Sequence, residues 1–292
     1  DLVSFLGNEP LSPPLAGARS VTRIFVEGAV LRDVPALRGD QRGARLLQCD
    51  LQGLDLSGVD FTGALLIGSN LAGCKLVGAD LSKANLTGCD LSGADLSGAK
   101  LDKAQLWKAK LVRAKLAGVD LSRVSLDSAD LFAANLTMAR GEDVNLCNAN
   151  LESALLEGIF LEGAVMTDVV LRKASLERAV LSRCDMTRAD LTGASLASAE
   201  LQYGRLVEAN LGETNLRGTK LLGMDLERAD LSTAHLSKNS FVRCILRSAN
   251  LKGRDLSGSD FTDADLSGAN LAGARLNGAL VTRADFSDAN LT

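Results

Sequence analysis

The chain has 292 residues, 32 basic against 36 acidic side chains for a net charge of −4, and only 3% aromatic residues. So mild a charge does not by itself imply nucleic acid or a membrane surface, and nucleic acid is not the expected partner; no apolar run approaches the roughly 20 residues that span a bilayer. With one Trp and one Tyr, any core must be filled by leucine instead of the aromatic bulk usual in globular domains.

Residues 1–28 carry no repeat and hold Pro10, Pro13 and Pro14. A stack of repeats must cover its first coil, so this segment is expected to be a cap, with Ile24-Phe25-Val26 as its lid. From residue 29 a five-residue pattern sets in. It is weakly formed between Leu31 and Leu46, where Ala29 and Val34 take small-residue positions, and regular from residue 44. Stepping by five from Leu46 to Leu291, every residue is Leu, Phe, Met or Val except Gly141. Two residues before each of these centres sits a small residue, as in Ala94-Asp95-Leu96; Leu54, Ile159, Met224, Asn239 and Arg254 are the exceptions. The residue between is commonly Asp or Asn, and the two after the centre are polar or Gly.

That period selects the backbone. A five-residue step on an α-helix turns each leucine roughly 140° from the last and leaves no stripe. In a continuous strand an odd step alternates faces. What remains is a short extended segment that points the small residue and the leucine the same way, followed by a corner. From Gly53 to Gly98 nearly every residue two after a centre is Gly, as a turn with positive φ requires. Between Asp168 and Arg188 the same positions are Asp, Lys and Arg, for which a turn with negative φ is expected.

The pattern resembles the pentapeptide-repeat family, whose repeat is Ala-(Asp/Asn)-Leu-X-X. The resemblance covers residues 44–292 and implies an all-β fold, a right-handed quadrilateral β-helix with four repeats per coil. About fifty centres then make about twelve coils, a rod formed by residues 29–292 behind the cap. The repeat stops at Leu291-Thr292; an open last coil exposes strand edges and core, to be covered by further chain, by a second copy or by a partner.

Most residues that suggest chemistry are products of the pattern. Cys49, Cys74, Cys89, Cys184 and Cys244 occupy the small inward slot and read as buried thiols; Cys147 alone falls outside. His235 takes an Asp/Asn slot, and the sequons at Asn85, Asn135 and Asn290 recur with the repeat. No phosphate loop, nucleophile elbow or zinc-spaced cluster occurs, so neither catalysis nor a cofactor, metal or small-molecule substrate is expected. Gly141 leaves a void that Met138 should fill, or the coil should bulge outward. Arg254, costly inside, should turn outward.

Two departures stand out. Leu155, Phe160, Val165, Val170 and Val180 replace the outward Asp/Asn, and exposed apolar surface marks protein interfaces; Phe160 and Val180 should stack. Lys100, Lys103, Lys108, Lys110, Arg113 and Lys115 form a basic coil beside Trp107, a combination that binds polyanions, although one coil spreads the charges over four faces. The resemblance implies two roles: a scaffold rod that docks a protein partner, or a DNA mimic that binds and protects or inhibits gyrase. The basic belts at 100–115 and 172–188 depart from the acidic faces of the mimics. Relatives in photosynthetic compartments leave the location open between cytoplasm and plastid or thylakoid.

Overall fold

The computed structural model describes residues 3–6, 24–31, 37–236 and 239–292; Pro10, Pro13, Pro14 and Val34 lie outside them. No described residue lies in an α-helix. Two compact units, Asp1–Asn145 and Leu146–Thr292, are each a parallel β-helix made of the same five-residue element.

In the first unit, β1 (Val3–Leu6), β2 (Ile24–Glu27) and β3 (Arg45–Leu47) form a parallel sheet in that order. β2 pairs with β3 at a twenty-residue offset, Phe25 opposite Arg45, and with β1 on its other edge, Val3 opposite Ile24. The run expected to be a lid is therefore a rung of the ladder, and Val26 lies fully buried in the core. Single bridges continue the same twenty-residue step, such as Asp50 to Asn70 and Asp80 to Lys100. Four five-residue sides thus close one coil.

The consensus follows from where each backbone N–H goes. The centre donates to the next coil, as Leu51 N does to Asn70 O at 2.8 Å, and so does the second residue after it, Gly53 N to Ala72 O at 2.9 Å. The Asp/Asn residue donates to the coil before, Asp50 N to Ala29 O at 2.8 Å, and the small residue closes the turn, as Ala64 N does on Phe61 O at 2.9 Å. One N–H per repeat is left, that of the first residue after the centre. The Asp/Asn side chain accepts it: Gln52 N donates to Asp50 Oδ1 at 3.1 Å. Asp or Asn at that slot thus serves the backbone and is not merely a charge preference.

Nearly every described corner uses one turn. Positive φ occurs at Asp168, Lys173, Arg178, Arg183 and Arg188, between 57° and 61°, which overturns the expectation of negative φ there. The residue's N–H must reach the next coil, and that bond fixes the turn whatever the side chain. Leaving the favoured region costs a non-glycine residue roughly 1–2 kcal/mol. Among the described residues two after a centre, from Gln48 to Asp288, only Thr233 is without positive φ, as a β-branched side chain dictates.

Several polar residues at the inward slot share one solution, though Ser259, buried at the same slot, has its Oγ without a partner. Ser69 Oγ donates to the Leu46 carbonyl at 2.7 Å, Thr214 Oγ1 to Leu191 O at 2.8 Å and Asn239 Nδ2 to Leu216 O at 2.8 Å. Each bond reaches a centre's carbonyl one coil back, so these residues are not defects. Arg254 departs from expectation: it stays half-buried, with Nη1 donating to Ala234 O at 3.2 Å and Nε buried without a partner. Met224, oversized for the slot, is matched by glycine one coil back. A Cβ on Gly204 would stand 3.3 Å from Met224 Cε and 2.9 Å from the Cys184 carbonyl.

The same device resolves Gly141. Met138 does not fill the gap, being 66% exposed, and the coil does not bulge outward. A Cβ on Gly141 would meet Val144 Cγ2 at 2.5 Å and the Leu121 carbonyl carbon at 3.0 Å. The backbone has closed inward, and Val144, larger than the usual alanine, takes the space.

The second unit repeats the ladder, from Asn150 bridging Val170 to Asn270 bridging Asn290. Phe241 and Phe261 stack in its column with rings 4° from parallel and centroids 5.0 Å apart, a direct measure of the coil spacing. Leu271 is buried, whereas Val281 and Leu291 are 46% and 58% exposed.

Candidate functional site

The apolar residues form a ring. Leu155, Phe160 and Val165 are more than two-fifths exposed, while Val170 and Val180 are half-buried. Phe160 bridges Val180 on one face, as the twenty-residue step requires, but Leu155, Val165 and Val170 pair instead with Ser175, Asp185 and Asp190. Each therefore sits on its own face, and only Phe160 and Val180 are brought together. None of the five offers a side-chain acceptor to the N–H two residues on, so the ring gives up the bond that Asp and Asn make at this slot, as Lys100 and Arg205 also do at theirs.

The basic coil is dispersed in the same way. Lys100 pairs with Asp80 at 3.2 Å and Lys115 with Asp95 at 3.1 Å, each with the acid one coil back. Lys110 occupies a third face, and Arg113 stands at a corner with φ 57°. Lys108 Nζ lies 4.2 Å from the centre of the Trp107 ring, itself 44% exposed. The twenty-residue step places Lys103 between Lys83 and Arg123 at one corner, two residues outside the one-coil grouping; reading the sequence down columns would have found them.

Elsewhere charges alternate along the corners and faces. Arg188 pairs with Asp168 at 2.6 Å and Arg228 with Glu208 at 3.2 Å, and Arg205 lies between Asp185 at 3.5 Å and Asp225 at 3.8 Å. The hydrogen bonds of the Arg188 guanidinium hold the Asp168 carboxyl below its usual range. A groove of about 740 Å³ in the first unit is lined by Lys100, Asp102, Asp120, Ser122, Arg123 and Glu142 among others, with Lys100 and Arg123 both engaged by acids.

The five inward cysteines are free and buried. Cys74, Cys89, Cys184 and Cys244 donate to a centre's carbonyl at 2.7–3.0 Å. Burial pushes the Cys89 and Cys184 thiols up to about 12, far from thiolate character at neutral pH. Ellman's reagent should therefore titrate about one thiol, half-buried Cys147, in the native protein, and all six after denaturation. Native reactivity at several thiols would contradict the inward placement. His235 is exposed and bridges Asn215.

The pentapeptide repeats family model matches in overlapping stretches, from residues 42–66 through to 264–292. The chain belongs to the pentapeptide-repeat family. No curated protein matches it. Among solved pentapeptide-repeat structures it is similar to HetL, involved in heterocyst differentiation regulation in the cyanobacterium Nostoc sp. Strain PCC 7120. That match has 29% identity over 82% of this chain and 90% of HetL, with a TM-score of 0.23. Full-length QnrB1, a plasmid-mediated fluoroquinolone resistance protein, is 22% identical over 75% of this chain and 93% of its own, with a TM-score of 0.24. A pentapeptide repeat protein from the Arabidopsis thaliana thylakoid lumen is 29% identical over 33% of this chain and 63% of its own, with a TM-score of 0.26. With such scores these superpositions add nothing beyond the shared repeat. Among the described residues, no helix is long and apolar enough to cross a membrane.

Proposed function

We propose that this pentapeptide-repeat chain is a non-catalytic scaffold that docks a protein partner at the face carrying Phe160 and Val180. The observation behind this reading is the ring itself. Leu155, Phe160 and Val165, each more than two-fifths exposed, stand at slots where Asp or Asn would accept a backbone N–H. A sequence that forgoes this bond there and exposes apolar area has a use for the surface. The same reading includes a right-handed winding with about twelve coils. A partner captured by the wild-type chain should be lost on Phe160→Asp with an unchanged circular dichroism spectrum. Retained binding would remove the ring as the interface. Gyrase protection through DNA mimicry is the alternative that the family offers, and alternation such as Asp185–Arg205–Asp225 argues against a phosphate-like face. Inhibition of gyrase supercoiling by the wild type would reverse that preference.

A further inference from the structure

In most of the molecule a cation stands one coil from an acid, as Lys100 does from Asp80 and Arg188 from Asp168. One corner of the first unit departs from this rule at two of its cations, Lys83 and Lys103, whose corner neighbours carry no acid; the third, Arg123, stands one coil from Asp143 and pairs with Asp102. Lys83, Lys103 and Arg123 follow each other at twenty-residue steps, and among the described residues no other corner or face stacks three cations on consecutive coils. The first two corners are linked coil to coil, Lys83 N donating to Asp102 O at 2.8 Å. At the β-helix spacing of about 4.8 Å, this places like charges side by side at the surface, which costs stability. All three also hold positive φ, between 58° and 60°, a conformation that glycine would take without strain. Lys83 is the one interruption in a run of corner glycines from Gly53 to Gly98. Two separate penalties thus fall on Lys83 and Lys103, while Asp102 relieves the charge at Arg123.

The face beside this corner is uncharged. Asn85, Gln105 and Ser125 run up its middle and bridge one another at the twenty-residue step. Asn85 Oδ1 accepts the Thr87 N–H at 3.0 Å, which leaves its amide nitrogen as a donor. The opposite edge carries Thr87, Trp107 and Lys108, with the sole Trp exposed and Lys108 against its ring. Acids border the face at Asp102, paired with Arg123 at 2.6 Å, and at Asp127. Asp143 at the top and Gly63 at the bottom end the cationic column.

We propose that this face binds single-stranded nucleic acid, its phosphates along Lys83, Lys103 and Arg123 and a base stacked on Trp107. A row of cations follows a phosphate backbone, while an exposed indole accepts the face of any base. Amide and hydroxyl groups between them suit base edges. The column covers two coil spacings, about 10 Å, so the site holds a few nucleotides and recognises no long sequence.

Because Trp107 is the only tryptophan, its fluorescence reports the site directly. Titration of the full chain with oligothymidylate at low salt should quench it. With about three phosphates neutralised, the logarithm of the binding constant should fall with that of salt at a slope of about −2. Lys83→Gly with Lys103→Gly removes two charges and also relaxes the backbone, so this variant should fold at least as well as wild type. It should nevertheless bind at least about tenfold more weakly. Absence of quenching, or equal binding by that variant, overturns the proposal. Equal quenching by polyglutamate or heparin overturns the nucleic-acid assignment and leaves a general polyanion site.

Discussion

Restoring the missing leucine at Gly141 should destabilise the protein, although the repeat asks for one there. Even Gly141→Ala is expected to cost about 1–3 kcal/mol, the usual range for overpacking a closed core. The new Cβ would stand 2.5 Å from Val144 Cγ2, 3.0 Å from the Leu121 carbonyl carbon and 3.2 Å from Leu121 Cβ. Val144 is itself fully buried, so it has nowhere to retreat, and backbone yields less readily than a side chain. Gly141→Leu should cost more than Gly141→Ala. Val144→Ala alone should also destabilise, since it opens a cavity where the backbone has closed in. Combined with Gly141→Leu it should recover part of the loss but not all, because the contact with the Leu121 backbone remains. Guanidinium unfolding of the four variants provides the check. Additive losses in the double variant would mean that the two positions do not share one space, and a stabilising Gly141→Leu would show that a void is present after all.

The column of centres was legible because a five-residue step from Leu46 to Leu291 admits few backbones, and the cysteines could be placed inside for the same reason. What the step could not convey was geometry set by neighbouring coils. Glycine at Gly53–Gly98 announces positive φ, but Lys173 and Arg178 hold it too, because the bond to the next coil dictates the turn and the side chain only sets its cost. A missing side chain at Gly141 does not reveal whether backbone closes over the space; the signal was Val144, three residues on, where alanine is usual. Arg254 was expected outside because a buried guanidinium is costly, yet the carbonyl of Ala234 one coil back offers it an acceptor. The apolar residues were legible singly but not as a ring, since adjacency depends on counting by twenty. Counting by five groups Lys100 with Lys115 on one coil; counting by twenty shows each beside an aspartate and brings Lys83 to Lys103.

Phe241→Ala is expected to remove about 3–5 kcal/mol, the range for emptying an aromatic site in a closed core. Phe241 stands between Leu221 and Phe261, all buried, and the centroids of the two rings are 5.0 Å apart. No neighbour in that column can move into the void without leaving its own coil, whose hydrogen bonds fix its height. Phe261→Ala should cost less, because Val281 on its far side is 46% exposed and free to settle inward. The coupling between the rings, taken from a double-mutant cycle, should be about 0.5–1.5 kcal/mol. In a solenoid each coil touches only its neighbours, so the damage should stay local. Hydrogen exchange should quicken at the amides that bond across these coils, such as Phe241 N and Leu246 N, while amides of residues 46–121 keep their protection. Uniform loss of protection in both units would show that the chain unfolds as one cooperative body, and a larger cost at Phe261 than at Phe241 would contradict the burial gradient that separates them.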